Sequence, residues 1–297
     1  MKLTSFIKNK EKIKNYQKQI FTIGAFDGCH LGHMRLLDGS DFAITFTPTP
    51  KYFFNKNNKL LTLDYEKQNL YPNFIFVEFN KKIANLSANE FFSSIINTFN
   101  PIGINLGWDF KFGHKLQGNF ELIKQISKEK NIQVHIQNPI TCAGTTVKST
   151  TIKELLISGQ VKKANLILGY EYFYMTSVIL GHGIGKKLGF PTLNFKINPI
   201  KLLPHNGVYA GYVSQNNTWV KAAISLGFNP TIPDHTELSL EAHLLDFDKY
   251  SQENFLKNPD KKIVFTKFIR NQKKFSSQKE LAKQIDKDVN LIKKLLF

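Results

Sequence analysis

Two cysteines, two arginines, two tryptophans and three methionines are all that the 297 residues contain of those types. Cys29 and Cys142 can close at most one bridge and have no metal-ligand spacing, which excludes a disulfide scaffold and a zinc module; both are read as reduced. Glycine and proline, at 18 and 11, are too few for a collagen-like or low-complexity chain. No apolar run approaches the roughly 18 to 20 residues that a membrane-spanning helix needs. The opening M-K-L-T-S-F-I-K interleaves lysine with apolar side chains, so it lacks the apolar core of a secretory signal. A soluble cytoplasmic protein with no membrane partner is expected. The scarcity of arginine also bears on the net charge of +17. Base readout relies on the bidentate guanidinium fork, and only Arg35 and Arg270 supply one among 40 basic residues. The charge reads as diffuse solubilising lysine, and no nucleic-acid partner is expected.

What is present is apolar: 42% hydrophobic residues, including 26 phenylalanines, in a chain long enough for two domains. Short apolar runs at Ile20 to Ile23, Ala43 to Phe46, Phe74 to Phe79, Ile102 to Leu106 and Ile132 to Ile136 read as strands, with helical segments between them. Ser87 to Glu90 is a capping box opening a helix that carries Phe91, Ile95 and Phe99 on one face. This alternation predicts a parallel α/β sheet with ligands at the carboxyl ends of its strands. A helical stretch from Thr151 to about Leu168, broken near Ser158-Gly159, closes this half. After Tyr172 the runs Phe173 to Leu180, Gly207 to Val213, Val220 to Ser225, Leu238 to Leu245 and Ile263 to Phe268 suggest a small antiparallel barrel or sandwich. Ser277 to Glu280 reads as a second capping box. It precedes Leu281, Ile285, Val289 and Ile292 at helical spacing, so a C-terminal amphipathic helix is expected to pack on the β half.

G-A-F-D-G-C-H-L-G-H, from Gly24 to His33, follows the first strand and opens a helix, where backbone N–H groups and the helix dipole can receive phosphate. His30 and His33 lie on one face of the first turn, able to touch one polyphosphate; Gly24, Phe26, Asp27 and Gly28 complete the candidate phosphate loop. Reaction at an α-phosphate needs charge neutralised on the leaving pyrophosphate, which suits such donors. The segment resembles the H-x-G-H motif of the nucleotidyltransferase superfamily. G-W-D-F-K-F-G (Gly107 to Gly113) and K-S-T-T-I-K (Lys148 to Lys153) resemble further motifs of the FMN adenylyltransferase module of prokaryotic bifunctional riboflavin kinase/FAD synthetases. The resemblance implies that Ser149, Thr150 and Lys153 hold nucleotide phosphates and that Asp109 meets the flavin. Read locally, Asp109 also suits a turn, and Thr150 or Thr151 a helix N-cap.

G-H-G-I-G-K-K-L-G-F-P-T-L-N, from Gly181 to Asn194, resembles the riboflavin kinase signature of the same family. Gly181, Gly183 and Gly185 allow close approach of backbone to phosphate, beside Lys186. Thr192 and Asn194 offer hard oxygen ligands of the kind Mg²⁺ accepts. The resemblance continues through G-V-Y-A-G (Gly207 to Gly211), L-G-F-N-P-T (Leu226 to Thr231), E-A-H-L-L-D-F-D (Glu241 to Asp248) and F-I-R (Phe268 to Arg270). It makes Glu241 the catalytic carboxylate, a general base for the ribityl hydroxyl. Gly207, Tyr209 and Arg270 become candidate flavin contacts, while His243, on the strand face of Glu241, is read as structural.

The family implies an N-terminal Rossmann-like nucleotidyltransferase domain over residues 1–168. It also implies a C-terminal Greek-key β-barrel riboflavin kinase domain with a terminal α-helix over 172–297. The implied substrates and products are riboflavin, ATP, FMN and FAD, with Mg²⁺ as cofactor. Departures lie in the first half: the segment after His33 is about ten residues shorter than the family pattern, and Thr49 stands where a histidine is usual. Lys148 and Lys153 replace Ser and Arg, and in the second half Lys186 replaces Arg. The first-half departures predict slow adenylyl transfer, while Lys186 keeps the charge of the arginine it replaces. Two other readings stay open at this point, a riboflavin kinase with a non-catalytic N-terminal module and a basic nucleic-acid-binding protein on a synthetase-like fold.

Overall fold

The structure is a computed structural model that describes residues 3–181, 184–215, 218–228, 238–246, 255 and 258–296. It divides into two compact units, Met1–Ser149 and Thr150–Phe297. Gly183 of the glycine-rich motif, Asn229 to Thr231 and Phe247-Asp248 lie outside the described residues.

Five parallel strands form the first unit's sheet: β1 (Ile20–Ile23), β2 (Phe42–Thr47), β3 (Phe74–Glu78), β4 (Gly103–Gly107) and β5 (Gln133–Gln137). Their order, β3-β2-β1-β4-β5, reverses direction at β1, so the turn leaving β1 sits at the topological switch point where α/β sheets bind ligands. All six residues of β2 are buried, as expected of a central parallel strand covered on both faces. Helix Ala88–Phe99 carries the expected capping box, Ser87 with Glu90, and buries Phe91, Ile95 and Phe99 together with Phe92 and Ile96. Phenylalanine fills this core: the Phe42 ring lies 4.5 Å from Tyr16, 5.1 Å from Phe99 and 5.7 Å from Phe21. A hairpin of β6 (Thr141–Cys142) and β7 (Thr145–Thr146) had no signal in the sequence.

In the second unit, helices Ser149–Ile157 and Val161–Leu168 are separated at Gly159, whose φ of +75° favours glycine. Six strands then close an antiparallel barrel: β8 (Phe173–Ile179), β9 (Leu193–Phe195), β10 (Gly207–Gln215), β11 (Thr218–Phe228), β12 (Leu238–Leu244) and β13 (Asp260–Arg270). The order is β10-β11-β12-β9-β8-β13, with β13 also pairing β10 to complete the circuit. β9 was not read as a strand, because at three residues it is too short to show periodicity. Along β11 buried and half-buried positions alternate, the pattern of a strand with one face inward. The C-terminal helix, Gln278–Leu295, packs Ile285, Val289 and Ile292 on the barrel residues Val208 and Ala210. Its expected capping box is corrected in one arm. Ser277 accepts the Glu280 N–H, but the Glu280 carboxylate takes the Ser276 hydroxyl (2.8 Å) and N–H instead.

Phe42→Ala is expected to destabilise the first unit by about 3 to 5 kcal/mol, since a fully buried ring shared by three aromatic neighbours leaves a cavity that cannot collapse. Urea unfolding monitored by near-ultraviolet circular dichroism would measure it.

Candidate functional sites

The first site is the turn between β1 and the helix Leu31–Asp38 (α1). Phe26 and Cys29 have left-handed φ of +46° and +38°, with Gly28 at +94° between them. Two non-glycine residues in that region cost roughly 1 to 3 kcal/mol each unless neighbours enforce the geometry. Here they do. The Asp27 carboxylate accepts the N–H groups of Leu61 (2.7 Å) and Thr62 (3.3 Å), and Gly28 donates its N–H to the Thr62 hydroxyl at 2.9 Å. The buried Lys67 ammonium donates to the Ala25 carbonyl at 2.9 Å, and Ser149 donates its hydroxyl to the Asp27 carbonyl at 2.7 Å.

This network corrects part of the expectation. Asp27 and the Gly28 amide hold the loop rather than a phosphate, and the Gly24 N–H is taken by the Ile44 carbonyl at 3.1 Å. Phe26 is buried with its ring 5.2 Å from His33, so it supports the histidine. The Ser149 hydroxyl already donates its hydrogen bond to the Asp27 carbonyl. Thr150 and Lys153 follow on the same helix and belong to the second unit. Thr49 caps the helix Pro50–Phe54, its buried hydroxyl accepting the Tyr52 N–H. Lys67 and Thr62 gave no signal, as nothing in the sequence separates a buried lysine from the many exposed ones.

What the turn presents is the histidine pair. The rings stack with centroids 3.6 Å apart and planes 12° from parallel. His30 is the N-cap, its Nδ1 accepting the His33 N–H at 3.3 Å, so the ring hydrogen sits on Nε2. As the opening amides of a helix, those of Leu31 and Gly32 have no carbonyl one turn back to bond. Burial pushes His30 down to about 4 against the opposing pull of Asp27. Burial, then the neighbouring His30 and Lys67, hold His33 well below the usual imidazole range. The His33 Nδ1 is buried without a hydrogen-bond partner. Both rings are therefore neutral near pH 7 and act as N–H donors rather than as cations. Burial raises the Cys29 thiol to about 12, which leaves it unreactive.

Two aromatic groups flank this turn. At the ends of β2 and β3, Phe53 lies 5.2 Å from Phe54 and 5.3 Å from Phe79, with Phe54 72% exposed. After β4, Trp108 is 42% exposed and is followed by Asp109 in a turn. Asp109, expected at the flavin, thus stands on the other side of β1 from the phenylalanines.

The second site is a cavity of about 170 Å³ in the barrel unit, lined among others by Thr192, Asn194, Glu241, His243, Arg270 and Asp288. β9 pairs with β12 so that Asn194 stands opposite Glu241. Thr192 donates its hydroxyl to Glu241 Oε2 at 2.9 Å. His243 bonds through Nδ1 to the Pro191 carbonyl at 2.8 Å, in keeping with its structural reading. The glycines have packing reasons: a Cβ on Gly181 would fall 2.0 Å from the Asn194 amide, and one on Gly185 would fall 2.4 Å from the Phe190 carbonyl. Lys186 lies exposed on the short helix Ile184–Lys187.

Three flavin contacts do not fit their placement. A Cβ on Gly207 would meet the Arg270 carbonyl at 2.5 Å, so that glycine serves close strand pairing. Tyr209 is fully buried, bonded to the His205 carbonyl and packed on Phe265 and Phe268; strand alternation gives its neighbour Val208 to the cavity. Arg270 lines the cavity, but its fork clasps Asp288 of the C-terminal helix through Nε at 2.9 and 3.0 Å and Nη2 at 2.6 Å.

The profile of the family described as FAD synthetase matches residues 12–151, and that described as riboflavin kinase matches residues 168–296. A bifunctional riboflavin kinase/FMN adenylyltransferase of Buchnera aphidicola subsp. Schizaphis graminum is 32% identical, covering 99% of this chain and 98% of its own. One from Haemophilus influenzae is 31% identical over 92% of each chain. A crystal structure titled as a macrolide-efflux protein from Streptococcus pneumoniae superposes with a TM-score of 0.82. It covers 99% of this chain and 97% of its own, and at 22% identity the likeness is one of fold.

Because the folded histidines resist protonation while unfolded ones titrate near 6.5, stability of the first unit should fall as pH drops from 6.5 toward 4. Urea midpoints at pH 7 and pH 5 would show the loss, and the double variant His30→Gln/His33→Gln should flatten it.

Proposed function

The chain belongs to the bifunctional riboflavin kinase/FMN adenylyltransferase family, and on that footing we propose how its two halves divide the work. It is a transferase of FAD biosynthesis that phosphorylates riboflavin to FMN with ATP and adenylylates FMN to FAD with release of pyrophosphate. Residues 172–297 take the first step and residues 1–168 the second. We place the enzyme in the cytoplasm; no helix among the described residues is long and apolar enough to cross a membrane.

The observation that carries the kinase assignment is the hydrogen bond from Thr192 to Glu241 inside the cavity. It leaves Oε1 of the carboxylate to accept the proton of the ribityl hydroxyl while the hydroxyl oxygen attacks the γ-phosphorus and ADP leaves. Leu188, Phe190, Val208 and Ile285 give the flavin ring apolar walls. The donor set suits Mg²⁺, which takes few protein oxygens beside substrate phosphates: a Thr hydroxyl, an Asn amide oxygen and one carboxylate, with no cluster of three or more His, Cys, Asp or Glu among the described residues. Thr192 and Asn194 would hold the ion, which when bound would neutralise charge on the phosphates. Lys186 is proposed as a phosphate contact, and Arg270 as the residue that fixes the helical wall.

In adenylyl transfer, an FMN phosphate oxygen attacks the α-phosphorus of ATP and the bond to the bridging oxygen breaks. His30 and His33, as neutral donors, stabilise the charge that develops there. Phe53, Phe54 and Phe79 offer a flat apolar platform for the isoalloxazine ring. Thr49 gives no imidazole, so this step is the slower one and FMN should accumulate before FAD.

Glu241→Gln keeps the shape and removes the base, so FMN formation should fall by about 10² to 10⁴ with riboflavin binding retained. Chromatographic product analysis would test it, and a parental rate would refute the role. His30→Ala with His33→Ala should abolish conversion of FMN to FAD without slowing riboflavin phosphorylation. An equal loss of both reactions would contradict the division of labour.

A further inference from the structure

Trp108 is a large aromatic side chain left 42% exposed at the carboxyl end of β4, with its backbone fixed by an N–H bond to the Gln137 carbonyl at 3.1 Å. The Lys148 ammonium lies 5.0 Å from the centre of its ring. Lys148 is bracketed by two residues tied to the histidine turn. The buried Val147 side chain lies 3.8 Å from where a Cβ on Gly32 would stand, and the Ser149 hydroxyl bonds the Asp27 carbonyl. A cation and a part-exposed indole ring thus stand near the histidine turn, across β1 in the sheet order from Phe53, Phe54 and Phe79.

We propose that Trp108 is the stacking platform for the purine ring of ATP, and that Lys148 moves from the indole face to the triphosphate when ATP binds. The inference rests on the adenylyl-transfer reading and adds what seats the nucleotide base. Adenylyl transfer from ATP to FMN brings two flat ring systems to one phosphorus, and the sheet order supplies an aromatic surface on each side of the histidines. Lys148 decides which is which, because a cation next to the phosphate site belongs with the triphosphate end. The exchange is favourable: an exposed cation–π contact is weak, whereas a base on an aromatic face and an ammonium on phosphate are both stronger contacts. Lys148 stands where the family pattern has a serine, so this device departs from that pattern.

The chain has two tryptophans, and Trp219→Phe leaves Trp108 as sole reporter. In that full-length variant, ATP should quench the emission saturably and inorganic tripolyphosphate should not. Trp108→Ala should raise the KM for ATP in FAD formation about 10- to 100-fold, the range expected for one lost base stack. The KM for FMN and the rate of riboflavin phosphorylation should stay parental, the latter showing that the chain is folded. Trp108→Phe should recover most of the loss. Lys148→Ala should raise the ATP KM several-fold; tighter ATP binding would make Lys148 a mere obstacle and overturn the exchange. Quenching by tripolyphosphate equal to that by ATP, or a shift in the FMN KM instead of the ATP KM, would overturn the platform. If the parent forms no FAD from FMN, the adenylyl-transfer reading fails, while quenching by ATP alone still decides the platform.

Discussion

The first unit depends on a backbone bend that its own residues disfavour. Within six residues after β1 the chain takes left-handed φ three times, and only one of the three is glycine. The conformation persists because Thr62, Lys67 and Ser149 reach it from separate stretches of the sequence and bond its backbone, while the carboxylate of its own Asp27 takes the N–H groups of Leu61 and Thr62. Removing one tie leaves a buried charge or amide without its partner, a cost above that of the single bond lost. The same bend starts α1 with His30 as its cap, so the stacking of the imidazoles follows from the strain being held.

The two halves handle charge in different ways. Around the histidines the positive charge has been driven off the rings by burial, and the donors that remain are neutral and fixed in direction. In the barrel a carboxylate keeps its place among an alcohol, an amide and an imidazole already bound to a carbonyl. Neither arrangement draws on the chain's net charge of +17. Most of the lysine excess lies on the surface, with buried Lys67 at the histidine turn an exception.

Much of this was legible in the sequence, and the limits have physical causes. Apolar runs and capping residues gave the five parallel strands, the helix after Ser87 and the C-terminal helix, because periodicity and capping are local. The kinase-like motifs are also local, and Thr192, Asn194 and Glu241, read from separate stretches, line one cavity. Individual roles were less legible, since they depend on partners far away in the chain. Asp27 reads as a phosphate ligand, yet its carboxylate takes Leu61 and Thr62, and Arg270 reads as a flavin contact, yet its fork holds Asp288. Lys67 could not be found at all, as burial of one lysine among so many leaves no trace in composition. Tyr209 and Gly207 failed for a simpler reason: β10 sends alternate residues to opposite faces, and a motif does not say which face is which.

The barrel closes through its shortest strand. β9 contributes three residues and joins β12 at only two register pairs, Asn194 with Glu241 and Leu193 with Ala242. On its other side it joins β8 at two more. One of the pairs that shut the cylinder, Asn194 with Glu241, thus also lines the cavity, so the seam of the barrel and the candidate site share residues. A ligand that bridged Thr192, Asn194 and Glu241 would add bonds across that seam, and one that bound only the closed form would strengthen the cylinder by mass action. Parting β9 from β12 would separate Asn194 from Glu241, so the cavity keeps its lining only while the cylinder stays shut.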